Sequence, residues 1–177
     1  MTQQLDYPIT TWPTAEPDEI LPGLYQGGTE DDDVLGYGTH RRTRGDFPFD
    51  LVVTAYADAN PVPWHVEEIR FGFYDSALDG GDIPRIVRIA RQAHARWKQG
   101  DQVLVRCQAG VNRSGLISAL ILLLEGYSPE DAIGLLRTRR SSHVLANRHF
   151  EQWLCTEAVG WLDPSLGATL GDPAQRG

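Results

Sequence analysis

The stretch LVRCQAGVNRSG, residues 104–115, joins an apolar strand to an apolar helix through a turn that carries a cysteine, an arginine and a serine. Apolar residues at 103–105 favour a buried strand, and the apolar run at 116–124 favours a buried helix. Residues 107–113 are therefore predicted to form a loop at the carboxyl end of a strand. In open α/β sheets, ligands bind at this place.

Further strands and helices are predicted to alternate along the chain. Short β-rich runs occur at 20–28, 50–56, 67–74 and 102–107, and apolar residues with helical spacing occur at 82–97, 126–140 and 150–154. Asp82 is expected to cap the first helix, and Ser128 is expected to cap the second, where Asp131 completes a capping-box pattern. This alternation predicts an α/β domain with a central, mostly parallel, twisted sheet flanked by helices.

The length of 177 residues suits one domain with a sizeable core, which we assign to residues 20–162. Residues 1–19 are polar and punctuated by proline, and they are predicted to form a flexible N-terminal segment without the features of a secretory signal. Residues 163–177 show no apolar periodicity and are predicted to form a flexible C-terminal tail. The sequence does not fix the oligomeric state, and a monomer is the working expectation.

The composition narrows the classes of function. A net charge of −8 argues against an extended nucleic-acid surface or binding to an anionic membrane, and the longest apolar run is too short to span one. Two cysteines are too few for a disulfide framework and form no zinc pattern, so we expect a reducing, cytoplasmic setting and no metal. The chain has no GxxxxGK[ST] nucleotide-triphosphatase loop, and no cofactor is expected.

The loop after the buried strand has the features of an oxyanion site. A helix N-terminus offers unpaired N–H groups and partial positive charge, and a small Ala109 with Gly110 allows successive amides to point inward. Arg113 adds a planar fork that matches two phosphate oxygens. The residues predicted to bind the substrate are Gln108, Ala109, Gly110, Val111, Asn112 and Arg113.

Cys107 lies at the mouth of this predicted site. A helix N-terminus and nearby cations favour the thiolate form of a cysteine, and a thiolate beside a bound oxyanion suits nucleophilic attack on phosphorus. The hydroxyl of Ser114 can donate to the sulfur, which makes the thiol a better leaving group when a phosphocysteine is hydrolysed. A buried structural cysteine is the simpler alternative, but it leaves the arginine and the serine unexplained.

The sequence CQAGVNRSG, with five residues between Cys107 and Arg113, resembles the signature loop of cysteine-dependent phosphatases. The wider chain is most similar to the dual-specificity branch of the protein-tyrosine phosphatase superfamily. ILPGLYQGG at 20–28 resembles its opening strand, and residues 126–154 resemble its closing helices, with Asn147 and Phe150 in the N-x-x-F positions. The resemblance covers residues 20–162 and implies a dual-specificity-phosphatase-like fold.

The resemblance also implies a two-step reaction without metal. Cys107 attacks phosphorus while an aspartic acid protonates the leaving oxygen, and the resulting carboxylate then activates water against the phosphocysteine. We choose Asp75 as this acid, because it directly follows an apolar strand where the family usually places its acid. Asp79, in a glycine-rich loop, stays a rival, and Asp82 is better explained as a helix cap.

Three other residues need an interpretation. Arg106 stands where the family usually has histidine, so its effect on the thiol is left open. Asn147 is interpreted as a residue that holds the catalytic loop, with a helix cap as the alternative. Cys155 is expected in the core. The arginine-rich run THRRTRGD, residues 39–46, is interpreted as a solvated loop, with acidic partners as the alternative.

The predicted function is hydrolysis of phosphotyrosine, and of phosphoserine or phosphothreonine, on a phosphorylated protein partner. Alternatives with the same chemistry are a phosphoinositide phosphatase and an RNA 5′-triphosphatase, since relatives of the latter kind share the loop ending NRSG. The loop contains no lysine, which disfavours phosphoinositides, and the net acidity disfavours extended RNA contacts. A catalytically inactive phosphate-binding module is the alternative from another class. This chain keeps the cysteine and arginine that such modules commonly lose.

Overall fold

A computed structural model describes residues 13–29 and 47–163 of the chain. In these residues one sheet consists of β1 Asp18–Leu21, β2 Leu24–Gly27, β3 Leu51–Thr54, β4 Glu67–Arg70 and β5 Val103–Arg106. The order of the strands across this sheet is β1–β2–β5–β3–β4. The helices are α1 Ile83–Lys98, α2 Arg113–Leu124, α3 Pro129–Arg139, α4 Arg148–Thr156 and α5 Ala158–Leu162. Only the β1–β2 pair is antiparallel among the described strand pairs. The predicted α/β fold with a mostly parallel sheet is confirmed.

The sheet begins with a hairpin between β1 and β2. Its turn contains Gly23 at φ +82°, a left-handed conformation that glycine adopts without steric cost. The register pairs Asp18 with Gln26, and Glu19 with Tyr25. Asp18 and Glu19 were predicted to lie in a flexible N-terminal segment, but this pairing makes them part of the sheet.

The two central strands are buried on both faces, as expected for parallel strands. On one face the alternating residues Leu51, Val53, Val103 and Val105 join the main core with the helices. On the other face Val52 and Leu104 pack with a smaller cluster that includes Phe47, Phe49 and Val66. Because all parallel strands point the same way, the carboxyl ends of β2 to β5 lie at one edge of the sheet, and this edge carries the candidate site.

The helix caps follow the sequence only in part. The Oγ atom of Ser128 accepts from the backbone N–H of Asp131 at 3.1 Å, as the capping pattern predicts. Asp82 occupies the N-cap position of α1, as predicted, but its side chain makes no capping hydrogen bond. The helix is instead stabilised by burial of its apolar face, with a proline in its first turn.

Strand β4 is shorter than the apolar run at 67–74 suggests. Beyond Arg70 the chain leaves the sheet and passes so close to the loop after β3 that a Cβ atom on Gly72 would lie 2.8 Å from the backbone nitrogen of Ala57. None of the helices in residues 13–29 and 47–163 is long and apolar enough to cross a membrane. The arginine-rich run at 39–46 and residues 164–177 lie outside the described residues.

Candidate active site

Cys107 directly follows β5 and is buried, with 2% of its surface exposed. Its Sγ atom lies 3.3 Å from the Oγ atom of Ser114 in the first turn of α2. The hydroxyl is fully buried, and it is the donor of this contact whenever the sulfur is a thiolate, since a thiolate has no proton to give. The contact therefore places a donor where negative charge on the sulfur would be stabilised.

The loop between Cys107 and α2 turns its carbonyl groups outward. The oxygen of Gln108 accepts from the N–H of Thr29 at 3.0 Å, and that of Val111 accepts from the N–H of Leu145 at 3.4 Å. Between them, the oxygen of Ala109 accepts from a guanidinium at 3.2 Å. In a trans peptide the N–H points opposite to the C=O, so the amides of residues 109–112 point towards the centre of the loop. That is the geometry of an anion-binding nest.

Arg140 holds the outside of this loop. It follows α3, its side chain is fully buried, and it donates to the carbonyl oxygens of Ala109 and Gly110. The same guanidinium donates to the carboxylate of Asp18 at 2.8 Å and to the carbonyl of Gln26 at 3.2 Å. Burial lowers the pKa of Arg140, while the charges of Asp18 and Cys107 act in the opposite direction. This arginine thus ties the loop to the first hairpin.

Gly110 is required by the same close packing. Its φ of +68° lies in the left-handed region, and a Cβ atom there would lie 2.3 Å from the carbonyl carbon of Gly27 and 2.4 Å from Nη2 of Arg140. Neither neighbour has room to retreat, since one is backbone and the other is a buried cation. The Nε2 group of Gln26 also donates to the Gly110 oxygen at 3.1 Å.

Arg113 is the first residue of α2, at the end of the loop. Its Nε atom is buried and has no hydrogen-bond partner among the described residues. One terminal nitrogen donates to the carbonyl of Phe73 at 3.4 Å, and the guanidinium carbon lies 5.1 Å from the ring centre of Tyr56. The guanidinium of Arg113 therefore keeps an N–H donor at Nε that a bound oxyanion could accept from.

Asp75 is exposed and lies over the loop, held by two asparagines. Its Oδ2 atom accepts from the side-chain amide of Asn112 at 2.9 Å, and its Oδ1 atom accepts from that of Asn147 at 2.8 Å. Asn112 belongs to the loop, and Asn147 is the N-cap of α4. The rival carboxylate of Asp79 instead accepts from the N–H of Gly81 at 2.7 Å within its own turn. Of the two candidate acids, Asp75 and Asp79, only Asp75 is hydrogen-bonded to the loop.

The chain is similar in sequence and in fold to known phosphatases. The model of the family "Dual specificity phosphatase, catalytic domain" matches residues 81–158. The chain is 25% identical over 169 residues to the tyrosine-protein phosphatase CDC14 of Saccharomyces cerevisiae, covering 77% of this chain and 31% of the yeast protein, so it spans about a third of that relative. The human DUSP28 structure superposes with a TM-score of 0.66 at 18% identity, covering 89% of this chain and 100% of that one.

A viral relative has a length closer to this chain. The protein named "Putative tyrosine phosphatase 123R" of Invertebrate iridescent virus 6 is 25% identical over 147 residues, which cover 78% of this chain and 94% of the viral protein. Residues 81–158 therefore match the catalytic domain of dual-specificity phosphatases, and the fold of the chain is that of such a phosphatase. The matched residues include the loop at 107–115, so the resemblance seen in its sequence is confirmed there.

Arg106 stands where the family that the loop resembles usually has histidine, and it points away from the loop at 107–112. Its Nε donates to the Oγ1 of Thr54 at 3.0 Å, and its Nη2 donates to the carbonyl of Asn60 at 2.7 Å. A carboxylate oxygen of Glu68 lies 3.3 Å from the same nitrogen. Its cation is therefore engaged with β3, β4 and the loop after β3.

The sequence analysis missed two residues of the candidate site and misplaced one cysteine. Cys155 was expected in the core but is exposed, because it lies on the outer side of α4, whose inner side carries Phe150, Trp153 and Leu154. Arg140 and Tyr56 were not identified, because no local pattern marks them. Two adjacent arginines at a helix end usually interact with the helix dipole and solvent, so only the packing shows which one is buried.

Proposed function

We propose that the protein is a metal-independent phosphatase that hydrolyses phosphomonoesters through a phosphocysteine at Cys107. The observation that carries this proposal is the loop geometry: four outward carbonyls turn four amides inward around a buried cysteine sulfur. Such amides stabilise the equatorial oxygens of a phosphoryl group more strongly as charge develops in the transition state. The unpaired donors of Arg113 add a second, charged contact to these oxygens.

In the first step the Cys107 thiolate attacks phosphorus. The S–P bond forms as the P–O bond to the leaving group breaks, and the protonated carboxyl group of Asp75 transfers its proton to the leaving oxygen. The bonds from Asn112 and Asn147 fix the position of this carboxyl group relative to the loop. No other group is needed to neutralise the leaving alkoxide or phenoxide.

In the second step the Asp75 carboxylate takes a proton from water, and the resulting hydroxide attacks the phosphocysteine. The S–P bond breaks, inorganic phosphate leaves, and the electron pair returns to sulfur. Ser114, with its Oγ 3.3 Å from Sγ, donates a hydrogen bond to the departing thiolate. This bond lowers the barrier of the step in which sulfur is the leaving group.

The proposed substrates are phosphorylated proteins, with phosphotyrosine first and phosphoserine or phosphothreonine next. The names of the yeast and viral relatives, both tyrosine phosphatases, support this class. We propose the cytoplasm as the compartment, because the mechanism needs a reduced thiol. A monomer suffices, since every residue in these two steps comes from one chain.

Phosphate release from a phosphotyrosine peptide in EDTA tests the proposal. Wild-type protein is expected to release phosphate, and Cys107→Ser is expected to release none while still binding tungstate through the loop amides. Cys155→Ser is the matched control, because it removes the exposed thiol of α4 and leaves the site intact. Release by Cys107→Ser, or loss of release in EDTA, would contradict the mechanism.

If the wild-type protein releases no phosphate from phosphopeptides, the alternative substrates are tested. A phosphoinositide and a 5′-triphosphorylated RNA are then assayed in the same buffer. Turnover of either by the wild type, lost in Cys107→Ser, would keep the chemistry and replace the substrate class. Tungstate binding without turnover of any of them would identify an inactive phosphate-binding module.

A further inference from the structure

The orientation of Arg113 depends on few contacts. Its Nε has no partner among the described residues, and its bond to the Phe73 carbonyl, at 3.4 Å, lies at the long limit of a hydrogen bond. The other contact described for this guanidinium is with the Tyr56 ring, whose centre lies 5.1 Å from the guanidinium carbon. A cation over an aromatic face is attracted by the electron-rich ring, and the ring also limits the directions in which the planar guanidinium can turn.

Tyr56 belongs to the loop after β3, which is fixed by two arginines of neighbouring strands. From β4, Arg70 donates to the carbonyl oxygens of Ala57 at 2.9 Å, Ala59 at 2.6 Å and Asn60 at 3.2 Å. From β5, Arg106 donates to the Asn60 carbonyl at 2.7 Å. Such charge-assisted bonds to three carbonyls within four residues restrict the backbone of a short loop.

Glu68 joins the two arginines. Its Oε1 lies 2.9 Å from Nη2 of Arg70 and 3.3 Å from Nη2 of Arg106, and it accepts from the hydroxyl of Thr54 at 2.6 Å. The side chain of Arg106 is 8% exposed, so its charge needs this carboxylate close by. The cluster therefore connects β3, β4 and β5 at the edge of the sheet that carries the site.

The loop after β3 also packs beside Phe73, the other residue that contacts Arg113. Gly72 lies so close to Ala57 that a Cβ atom on it would be 2.8 Å from the Ala57 Cβ. The residue after this glycine is Phe73, whose carbonyl accepts from Arg113. Both described contacts of the arginine thus depend on the backbone that Arg70 and Arg106 hold.

We propose that Tyr56 is a positioning residue for Arg113, and that the Arg106–Glu68–Arg70 cluster holds Tyr56 in place. This inference rests on the proposed role of Arg113 in binding the phosphoryl group. Arg106 then acts on the site through the loop after β3 rather than through the sulfur. Its replacement of histidine gives the chain a second guanidinium for this loop, beside that of Arg70.

The test measures oxyanion binding without turnover. Tungstate is titrated as a protectant of Cys107 against alkylation by iodoacetamide, with Cys155→Ser in every variant so that one thiol reacts. Tyr56→Leu is expected to weaken protection about 2- to 30-fold, the range of a cation–aromatic contact, whereas Tyr56→Phe retains the ring and the wild-type affinity. Trp64→Leu removes a nearly fully exposed aromatic from the same β3–β4 connection and is the matched control.

A double-mutant cycle separates positioning from general destabilisation. On an Arg113→Met background, Tyr56→Leu should cause no further loss of protection, because the partner is already absent. Arg106→Met should weaken protection and add little to Tyr56→Leu. If Arg106→Met does not fold, the Tyr56 variants still decide the outcome.

Three results would overturn the inference: wild-type affinity in Tyr56→Leu, equal losses in Tyr56→Phe and Tyr56→Leu, or an undiminished loss on the Arg113→Met background. Absence of tungstate protection in the wild type would overturn it as well. A wild type that binds tungstate but hydrolyses no phosphoester would contradict the proposed function alone. The double-mutant cycle would still measure the effect of Tyr56 on tungstate binding by Arg113.

Discussion

The side-chain amide of Asn147 donates to Asp75 over 2.8 Å, joining positions 72 residues apart in the sequence. Asn147 also caps α4, with its Oδ1 accepting from the N–H of His149 at 3.0 Å. Its backbone N–H donates to the side chain of Asn112 at 3.0 Å, and Asn112 itself donates to Asp75. Asp75, the loop at 107–112 and α4 therefore form one hydrogen-bonded unit.

Asp75→Asn should make the rate depend on the leaving group. The amide keeps the shape of the carboxyl group but has no proton to give, so phenyl phosphate should be cleaved about 10²- to 10⁴-fold more slowly while p-nitrophenyl phosphate changes little. Asp79→Asn is the matched control, since that carboxylate bonds only within its own turn in the described structure. Steady-state rates on both esters check this. A larger, leaving-group-dependent defect in Asp79→Asn would transfer the role to Asp79.

Asn147→Asp should separate the two roles of the Asn147 side chain, which are to cap α4 and to hold Asp75 by a hydrogen bond. Aspartate caps helices as well as asparagine does, so the melting temperature should stay close to that of the wild type. The donor that holds Asp75 in position is lost, however, so the phenyl phosphate rate should fall as in Asp75→Asn. Asn147→Ala, which loses both roles, should in addition be destabilised by about 0.5–2 kcal/mol. Wild-type kinetics in Asn147→Asp would show that this bond does not position the acid.

The sequence predicts those parts of the site that lie close together in the chain. Cys107, Arg113 and Ser114 fall within eight residues of one strand–loop–helix unit, so their spacing alone indicates their proximity. Asp75 follows a strand whose carboxyl end must lie at the same edge of the sheet. Its choice over Asp79 rested on the resemblance, and the structure adds the two amides that bond to it.

The supports of the site come from long-range packing that no local pattern encodes. Arg139 and Arg140 are neighbours with the same chemistry, yet only the second is buried, where it bonds to carbonyls of the loop and of the first hairpin. The same holds for Arg106, whose direction depends on the alternation of side chains along β5 and on the carboxylate supplied by β4. Such roles follow from tertiary contacts rather than from residue type.

Ser114→Ala should change the slow step of the reaction. Removing the hydroxyl 3.3 Å from Sγ leaves the departing thiolate without this donor, so hydrolysis of the phosphocysteine should slow by about 10- to 100-fold. Stopped-flow assays of p-nitrophenyl phosphate should then show a burst of nitrophenol followed by a slower steady rate. Ser118→Ala, another fully buried serine of α2, is the control and should show no burst. A slower steady rate without a burst in Ser114→Ala would place the serine in the first step instead.

Gly110→Ala should disable the loop. The added Cβ would lie 2.3 Å from the Gly27 carbonyl carbon and 2.4 Å from Nη2 of Arg140, so either the loop or the buried arginine must move. A displacement of about 1 Å lowers kcat/KM on the order of 10²-fold, and tungstate binding should weaken with it. Gly126→Ala is the matched control: its φ of +103° imposes similar strain, about 1–2 kcal/mol in unfolding, but nothing lies within 4 Å of the new methyl group. Equal activity in the two variants would mean that the packing of Gly110 against Arg140 does not shape the phosphate site.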